Sequence, residues 1–138
     1  MHMEIEKIPR LIILPKIGDN DIGYLTVLEA NKDIPFDIKR AYWTYHVPAN
    51  TKRGMHAHKE LHQLIIAIKG TIIFEIESSS GQQYSFELNE PNKALYIPNG
   101  YWRDIFFLND AILVSFTSMH YIETDYIRDY QTFKSGNW

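Results

Sequence analysis

The 138-residue chain contains no cysteine. A disulfide scaffold, a thiolate metal site and a cysteine nucleophile are therefore excluded, and any chemistry must use other groups. A basic excess is missing as well: 14 Lys and Arg stand against 17 Asp and Glu, a formal net charge of −3. Binders of nucleic acid or anionic membranes normally carry the opposite balance, so neither partner is expected. A small anionic ligand is still compatible with this charge, because a few arginines can cluster locally. Long apolar runs are absent too. The longest, such as residues 64–68 and 111–114, fall far short of the ~20 residues a spanning helix needs. The opening Met1-His-Met-Glu-Ile-Glu-Lys7 lacks the apolar centre of a signal peptide. The expectation is a cytoplasmic protein built as one domain over residues 1–138.

Glycine and proline are sparse, seven and six, whereas nine Tyr, seven Phe and three Trp are present. Aromatic residues favour strands, and these fall in short runs bounded by turn formers. Strands are expected at about residues 11–14, 24–28, 40–47, 61–68, 71–77, 84–88, 94–97, 105–107 and 112–117. Alternation is clearest in Thr71-Ile-Ile-Phe-Glu-Ile-Glu77, where Ile72, Phe74 and Ile76 share a face. Many short strands with even spacing predict an all-β sandwich or small antiparallel barrel. Only the end reads as helix: Thr124 is suited to cap a turn through Asp125 and Arg128.

Two of the six histidines, His56 and His58, are two residues apart. On an extended strand both imidazoles leave the same face, which suits either a metal clamp or an acid/base pair, or else a pair of surface side chains. Gly54, His56, His58, Gln63 and Gly70 resemble the first cupin motif, and Pro98-Asn-Gly100-Tyr-Trp-Arg103 resembles the second. The implied fold is the cupin double-stranded β-helix, or jelly roll, with a short C-terminal helix. Where a metal-binding cupin carries its Glu and last His ligands, this chain has Gln63 and Arg103. An amide is a poorer ligand than a carboxylate, and a guanidinium has no lone pair to offer. No metal is therefore expected, unless His62 supplies a third donor. Two histidines without a metal are free for proton transfer.

Four further segments narrow the resemblance. These are Glu29 to Tyr42, with Pro35-Phe36 and Lys39-Arg40, then Arg53-Gly-Met-His-Ala-His58, then Leu95-Tyr-Ile-Pro98 with Trp102, and finally Tyr121-Ile-Glu-Thr-Asp-Tyr-Ile-Arg-Asp-Tyr130. Together they resemble the nucleotide-sugar 3,4-ketoisomerases, the WxcM-like cupins. The resemblance implies cofactor-free conversion of dTDP-4-keto-6-deoxyglucose to its 3-keto isomer, supplying amino deoxysugars for surface polysaccharide such as the O-antigen of lipopolysaccharide. It also implies a homodimer, with the N-terminal strand region of residues 1–20 exchanged between subunits. By the same resemblance His56, His58 and Tyr42 are catalytic, the histidines as base and proton shuttle in unassigned order. Arg40 and Arg53 match family positions that bind the diphosphate, and Arg103, Gln63 and Trp102 are also expected to bind substrate, Arg103 as a fixed positive charge for the enediolate in place of the relatives' His. Residue chemistry alone keeps plainer readings for Arg40, as a solvated edge charge, and Tyr42, as core filling. His46, His62 and His120 read as surface or structural. Two departures stand out: Ile22 precedes the early Gly23 where relatives have Arg, and Arg103 follows Trp102 where they have His. A non-catalytic sugar-nucleotide-binding cupin and a dTDP-sugar 3,5-epimerase are the competing functions.

Overall fold

The computed structural model describes residues 7–138. Ten strands run in chain order: β1 Arg10–Ile13, β2 Ile17–Asp19, β3 Gly23–Leu25, β4 Arg40–Thr44, β5 Lys52–His58, β6 Gln63–Ser78, β7 Gln83–Leu88, β8 Lys93–Ile97, β9 Tyr101–Thr117 and β10 Tyr126–Ile127. A helix, α1, covers Tyr130–Ser135. β2 and β3 form a separate hairpin, and every other strand joins one antiparallel network.

β6 and β9 are paired from Gln63↔Thr117 to Ser78↔Tyr101 and bend together near their middles. Each therefore serves two layers. One layer holds β1, β8, the first half of β6, the second half of β9 and β4. The other holds β7, the second half of β6, the first half of β9, β5 and β10. This is the expected all-β jelly-roll architecture. Its core lies between the layers, where Ile65, Ile72, Phe74, Leu95, Ile105, Phe107 and Leu113 meet. Each such side chain contributes ~1.5–3 kcal/mol by leaving water.

The shared bend explains why sequence periodicity divides β6 and β9. Residues 61–68 and 71–77 read as two strands because Lys69-Gly70 has turn chemistry. The register instead slips on either side of Lys69, and the strand continues. The slip exchanges faces: Ile65 and Ala67 point into the core before it, Ile72 and Phe74 after it. Gly70 is required there. Its φ is 74°, and a Cβ would lie 2.6 Å from the Ala111 Cα on β9. Leu64 and Ile66, on the outer face, are covered by Ile34 and Phe36 of the long connection before β4.

The expected helix over residues 124–128 is a correction. Asp125 ends a short 3₁₀ turn, and Tyr126–Ile127 pair with β5 instead. The helix begins later, where the Asp129 side chain accepts from the Thr132 N–H at 2.8 Å and Gly136 closes the end with φ 73°. Phe133, fully buried, pins it onto Ala57, Trp102 and Ile127. β1 pairs with β8 of the same chain, while residues 1–6 of the expected exchange segment lie outside the described residues. No helix among the described residues is long and apolar enough to cross a membrane.

Candidate active site

β5 delivers the histidines through a bulge. Gly54 and Met55 have φ of 81° and 56°, and the register passes from Gly54↔Asp104 to His56↔Arg103, so one extra residue sits on β5. A bulge of this kind twists the strand and re-aims the next side chains. His56 and His58 both turn inward, edge to face with ring centres 5.0 Å apart. The Tyr126 ring, carried onto β5 by β10, lies 5.1 Å from His56 and 4.4 Å from His58.

His56 borders an open cavity of about 330 Å³ that is also lined by Arg40, Tyr42, Arg53, Tyr126 and Arg128. His58 sits behind it, almost wholly buried. The Nδ1 of His56 lies 3.0 Å from the Gly54 carbonyl, and a carbonyl can only accept, so Nδ1 carries the hydrogen. The Nδ1 of His58 lies 3.0 Å from the buried Asp125 carboxylate. Burial, followed by the Arg103 charge, pushes His56 down from 6.5 to about 3. The same two causes in the same order hold His58 well below its ordinary value. Both rings are thus neutral at physiological pH, and neither Nε2 has a hydrogen-bond partner among the described residues.

Arg103 and Gln63 lie beneath this pair and fix each other. The Arg103 guanidinium donates to the Gln63 side-chain oxygen and, at 3.1 Å, to the Tyr101 carbonyl. Because arginine only donates, the Gln63 oxygen must face it, and the amide nitrogen donates to Ser115 Oγ at 2.9 Å and Tyr42 OH at 3.1 Å. The Tyr42 oxygen is therefore an acceptor within the protein, and its own O–H is free for the cavity. Burial lowers Arg103 to about 10, so it stays charged at neutral pH.

These contacts also decide the metal question on donor chemistry. Arg103 occupies the Gln63 oxygen and adds a positive charge where a cation would sit. His62 belongs elsewhere, with its Nδ1 2.7 Å from Tyr96 OH and its ring against Phe36 on the outer face. Among the described residues no three His, Asp or Glu side chains converge as metal ligands. The residues present do not fit a metal ion.

Arg40 lies over the rings of Tyr42 and Tyr121, and its Nε is buried without a hydrogen-bond partner among the described residues, as is that of Arg103. An orphaned buried donor costs ~1–3 kcal/mol, a cost that an anionic group in the cavity removes at Arg40. The structure thus brings together His56, His58, Tyr42, Gln63 and Arg103, with Arg40 and Arg53 at the rim. Trp102 is not brought to this cavity: it packs on Phe133 at 5.7 Å and Tyr130 at 5.2 Å, beneath α1. Sequence reasoning gave Asp125 and Tyr126 no part in the site. Their only signal was membership of the Tyr121–Tyr130 segment, since their partners lie on β5.

Comparison with known proteins identifies the family. A family model described as FdtA, WxcM-like, C-terminal, matches residues 7–138. A TDP-4-oxo-6-deoxy-alpha-D-glucose-3,4-oxoisomerase from Aneurinibacillus thermoaerophilus is 35% identical over 126 residues, 91% of this chain and 89% of its own. The crystal structure of QdtA, a sugar 3,4-ketoisomerase from Thermoanaerobacterium thermosaccharolyticum in complex with TDP, is 37% identical. It superposes with a TM-score of 0.89 over 96% of each chain. The WlaRB TDP-quinovose 3,4-ketoisomerase of Campylobacter jejuni is 34% identical with a TM-score of 0.86, over 95% of this chain and 99% of that one. With the match spanning nearly the whole sequence and relatives above 30% identity, the chain belongs to the FdtA, WxcM-like family of nucleotide-sugar 3,4-ketoisomerases.

Proposed function

We propose that this protein converts dTDP-4-keto-6-deoxyglucose to a dTDP-linked 3-keto-6-deoxyhexose by histidine-mediated proton transfer, with no metal or cofactor. The observation that carries this reading is the pair of neutral imidazoles whose Nε2 atoms have no hydrogen-bond partner among the described residues, His56 at the wall of a cavity rimmed by Arg40 and Arg53.

The hydrogen on sugar carbon 3 is acidic because it lies next to the carbon 4 carbonyl. An unprotonated Nε2 removes it, and the electron pair moves into a carbon 3–carbon 4 double bond while oxygen 4 becomes an oxyanion. The Tyr42 O–H donates a hydrogen bond to that charge, an effect commonly worth ~10²- to 10³-fold in rate for one donor. The fixed charge of buried Arg103 stabilises the same enediolate. The hydroxyl proton of oxygen 3 then passes to oxygen 4, the electron pair returns to form the carbon 3 carbonyl, and an imidazolium returns a proton to carbon 4. Atoms and charge balance without an external reagent. Arg40 and Arg53 suit the diphosphate, which a guanidinium binds by two parallel hydrogen bonds. The 3-keto product is suited to amination at carbon 3 for a surface polysaccharide, in the cytoplasm.

The test is incubation with dTDP-4-keto-6-deoxyglucose in deuterated water, followed by NMR. A new 3-keto sugar with deuterium on ring carbon is expected. TDP binding with neither signal, or label at carbon 5, would overturn the reading in favour of a binding protein or a 3,5-epimerase. His56→Asn and His58→Asn are each expected to lower kcat at least about 100-fold with TDP affinity within a few-fold.

A further inference from the structure

The contact between Asp125 and His58 carries more than the burial of two polar groups. Asp125 belongs to the segment that β10 lays against β5. Its own N–H donates to the Ile122 carbonyl at 3.1 Å, and its carbonyl accepts from the Lys59 N–H at 2.9 Å. The ladder that follows pairs Tyr126 with His58 itself. The carboxylate is therefore held from both sides of its backbone and cannot swing away.

Its two oxygens are both engaged. Oδ1 accepts from the backbone N–H of Glu60 at 2.8 Å, and Oδ2 lies 3.0 Å from His58 Nδ1. The first donor cannot change, because a backbone amide has no second tautomer. The second oxygen of an ionised carboxylate can only accept, so it demands N–H at His58 Nδ1. A neutral imidazole with its hydrogen on Nδ1 leaves Nε2 as a lone pair, and Nε2 is the atom without a hydrogen-bond partner among the described residues. His56 reaches the same tautomer through the Gly54 carbonyl, a group no side-chain substitution can alter. At His58 the same task falls to a replaceable side chain.

We infer that Asp125 is a positioning residue of the isomerase, holding His58 as the Nδ1–H tautomer so that Nε2 is the atom that exchanges a proton during the reaction. This inference rests on the isomerase reading. It assigns Asp125 no contact with the sugar. It also separates the two histidines: His56 meets the cavity, and His58 works from behind it with its protonation pattern set by a carboxylate. Carboxylate partners of functional imidazoles commonly fix ring orientation and tautomer in this way.

Asp125→Asn tests the inference because an amide has one acceptor and one donor. Its oxygen must face the Glu60 N–H, so its NH₂ faces His58 Nδ1 and drives the ring to the Nε2–H tautomer. In a serine-protease triad the corresponding Asp→Asn change costs ~10⁴ in kcat for this reason. Here kcat is expected to fall about 10²- to 10⁴-fold, with KM and TDP affinity within about three-fold and the melting temperature nearly unchanged. The direct readout is the ¹⁵N spectrum of histidine-labelled protein at neutral pH, with His58 assigned from the His58→Asn variant. The unmodified protein is expected to show a protonated Nδ1 and a bare Nε2 at His58, and Asp125→Asn the reverse.

Finding the Nε2–H form or an imidazolium in the unmodified protein overturns the inference even if Asp125→Asn does not fold. So does an Asp125→Asn protein that keeps full kcat, or one that loses kcat while retaining the Nδ1–H form. Absence of isomerisation by the unmodified protein is a different result, overturning the isomerase reading whatever the tautomer.

Discussion

His56 shows how burial and charge convert an ordinary side chain into a base. Water would let it take a proton near pH 6.5, but the folded protein delays that to about 3, by burial first and the Arg103 charge second. A base that remains unprotonated gives a flat acid limb, so kcat/KM is expected to stay level from pH 8 to about pH 5. A limb with a midpoint near 6.5 would contradict it. Stability follows the opposite titration. Below 6.5 the unfolded chain binds a proton at this position that the folded chain does not, so unfolding is favoured as pH falls from 6.5 towards 3. Stability is complete above the unfolded value and declines by about 1.4 kcal/mol per pH unit for this ring. Urea unfolding at pH 7, 5.5 and 4.5 checks the slope. His56→Asn should reduce the slope by that amount while the His58 contribution remains, and an equal slope in that variant would assign the loss to other groups.

At the level of elements, the bulge in β5 is the device that makes the histidines usable. Gly54 has φ 81°, and a Cβ there would sit 2.8 Å from the Arg103 carbonyl. Gly54→Ala must therefore open the β5–β9 ladder beside both His56 and Arg103. We expect a loss of about 1–3 kcal/mol, from the left-handed backbone and the contact together, and a fall in kcat larger than the stability loss implies. Melting curves and steady-state kinetics measure the two effects, and an unchanged kcat would show that the bulge does not aim the ring. The sequence made part of this legible. Spacing of two placed His56 and His58 on one face, and the cupin resemblance singled out Gln63 and Arg103, which the fold joins by a hydrogen bond. The left-handed Met55 was not legible, because nothing in a methionine favours that conformation and the constraint comes from β9. Nor was β10. Thr124 and the acids after it have the chemistry of a helix start, yet Asp125 is drawn to the Glu60 amide and His58, and Asp129 takes over the cap. Trp102 was readable as an important aromatic residue but not as a packing residue, since Phe133, the side chain it supports, lies on a helix expected elsewhere.

For the molecule as a whole, the outer face of the first layer carries an apolar groove of about 640 Å³. Leu14, Tyr24, Leu28, Ile38, Ile66 and Phe116 line it. Ile17, Ile22 and Leu25 on the β2–β3 hairpin beside it are exposed by more than half. An apolar surface of this kind favours association, which makes it the surface on which to test the homodimer expected from the sequence resemblance. Ile68→Lys, at a groove position already half exposed, is expected to leave the fold intact and shift sedimentation from dimer to monomer. A monomeric unmodified protein would remove the dimer from the reading.

The two long strands also favour one order of assembly. Ser78 and Tyr101, at one end of their ladder, are close in sequence, whereas Gln63 and Thr117, at the other, are separated by the whole β6–β9 excursion. Chain-entropy costs rise with the length of the loop to be closed, so the ladder is expected to close first at the Ser78 end, where Arg103 lies, and last at the Gln63 end. On that order the hydrogen bonds from Arg103 to Gln63 and from Gln63 to Tyr42 form late, and the far-ultraviolet signal of the sheet is expected to recover before isomerase activity on refolding; simultaneous recovery would contradict it.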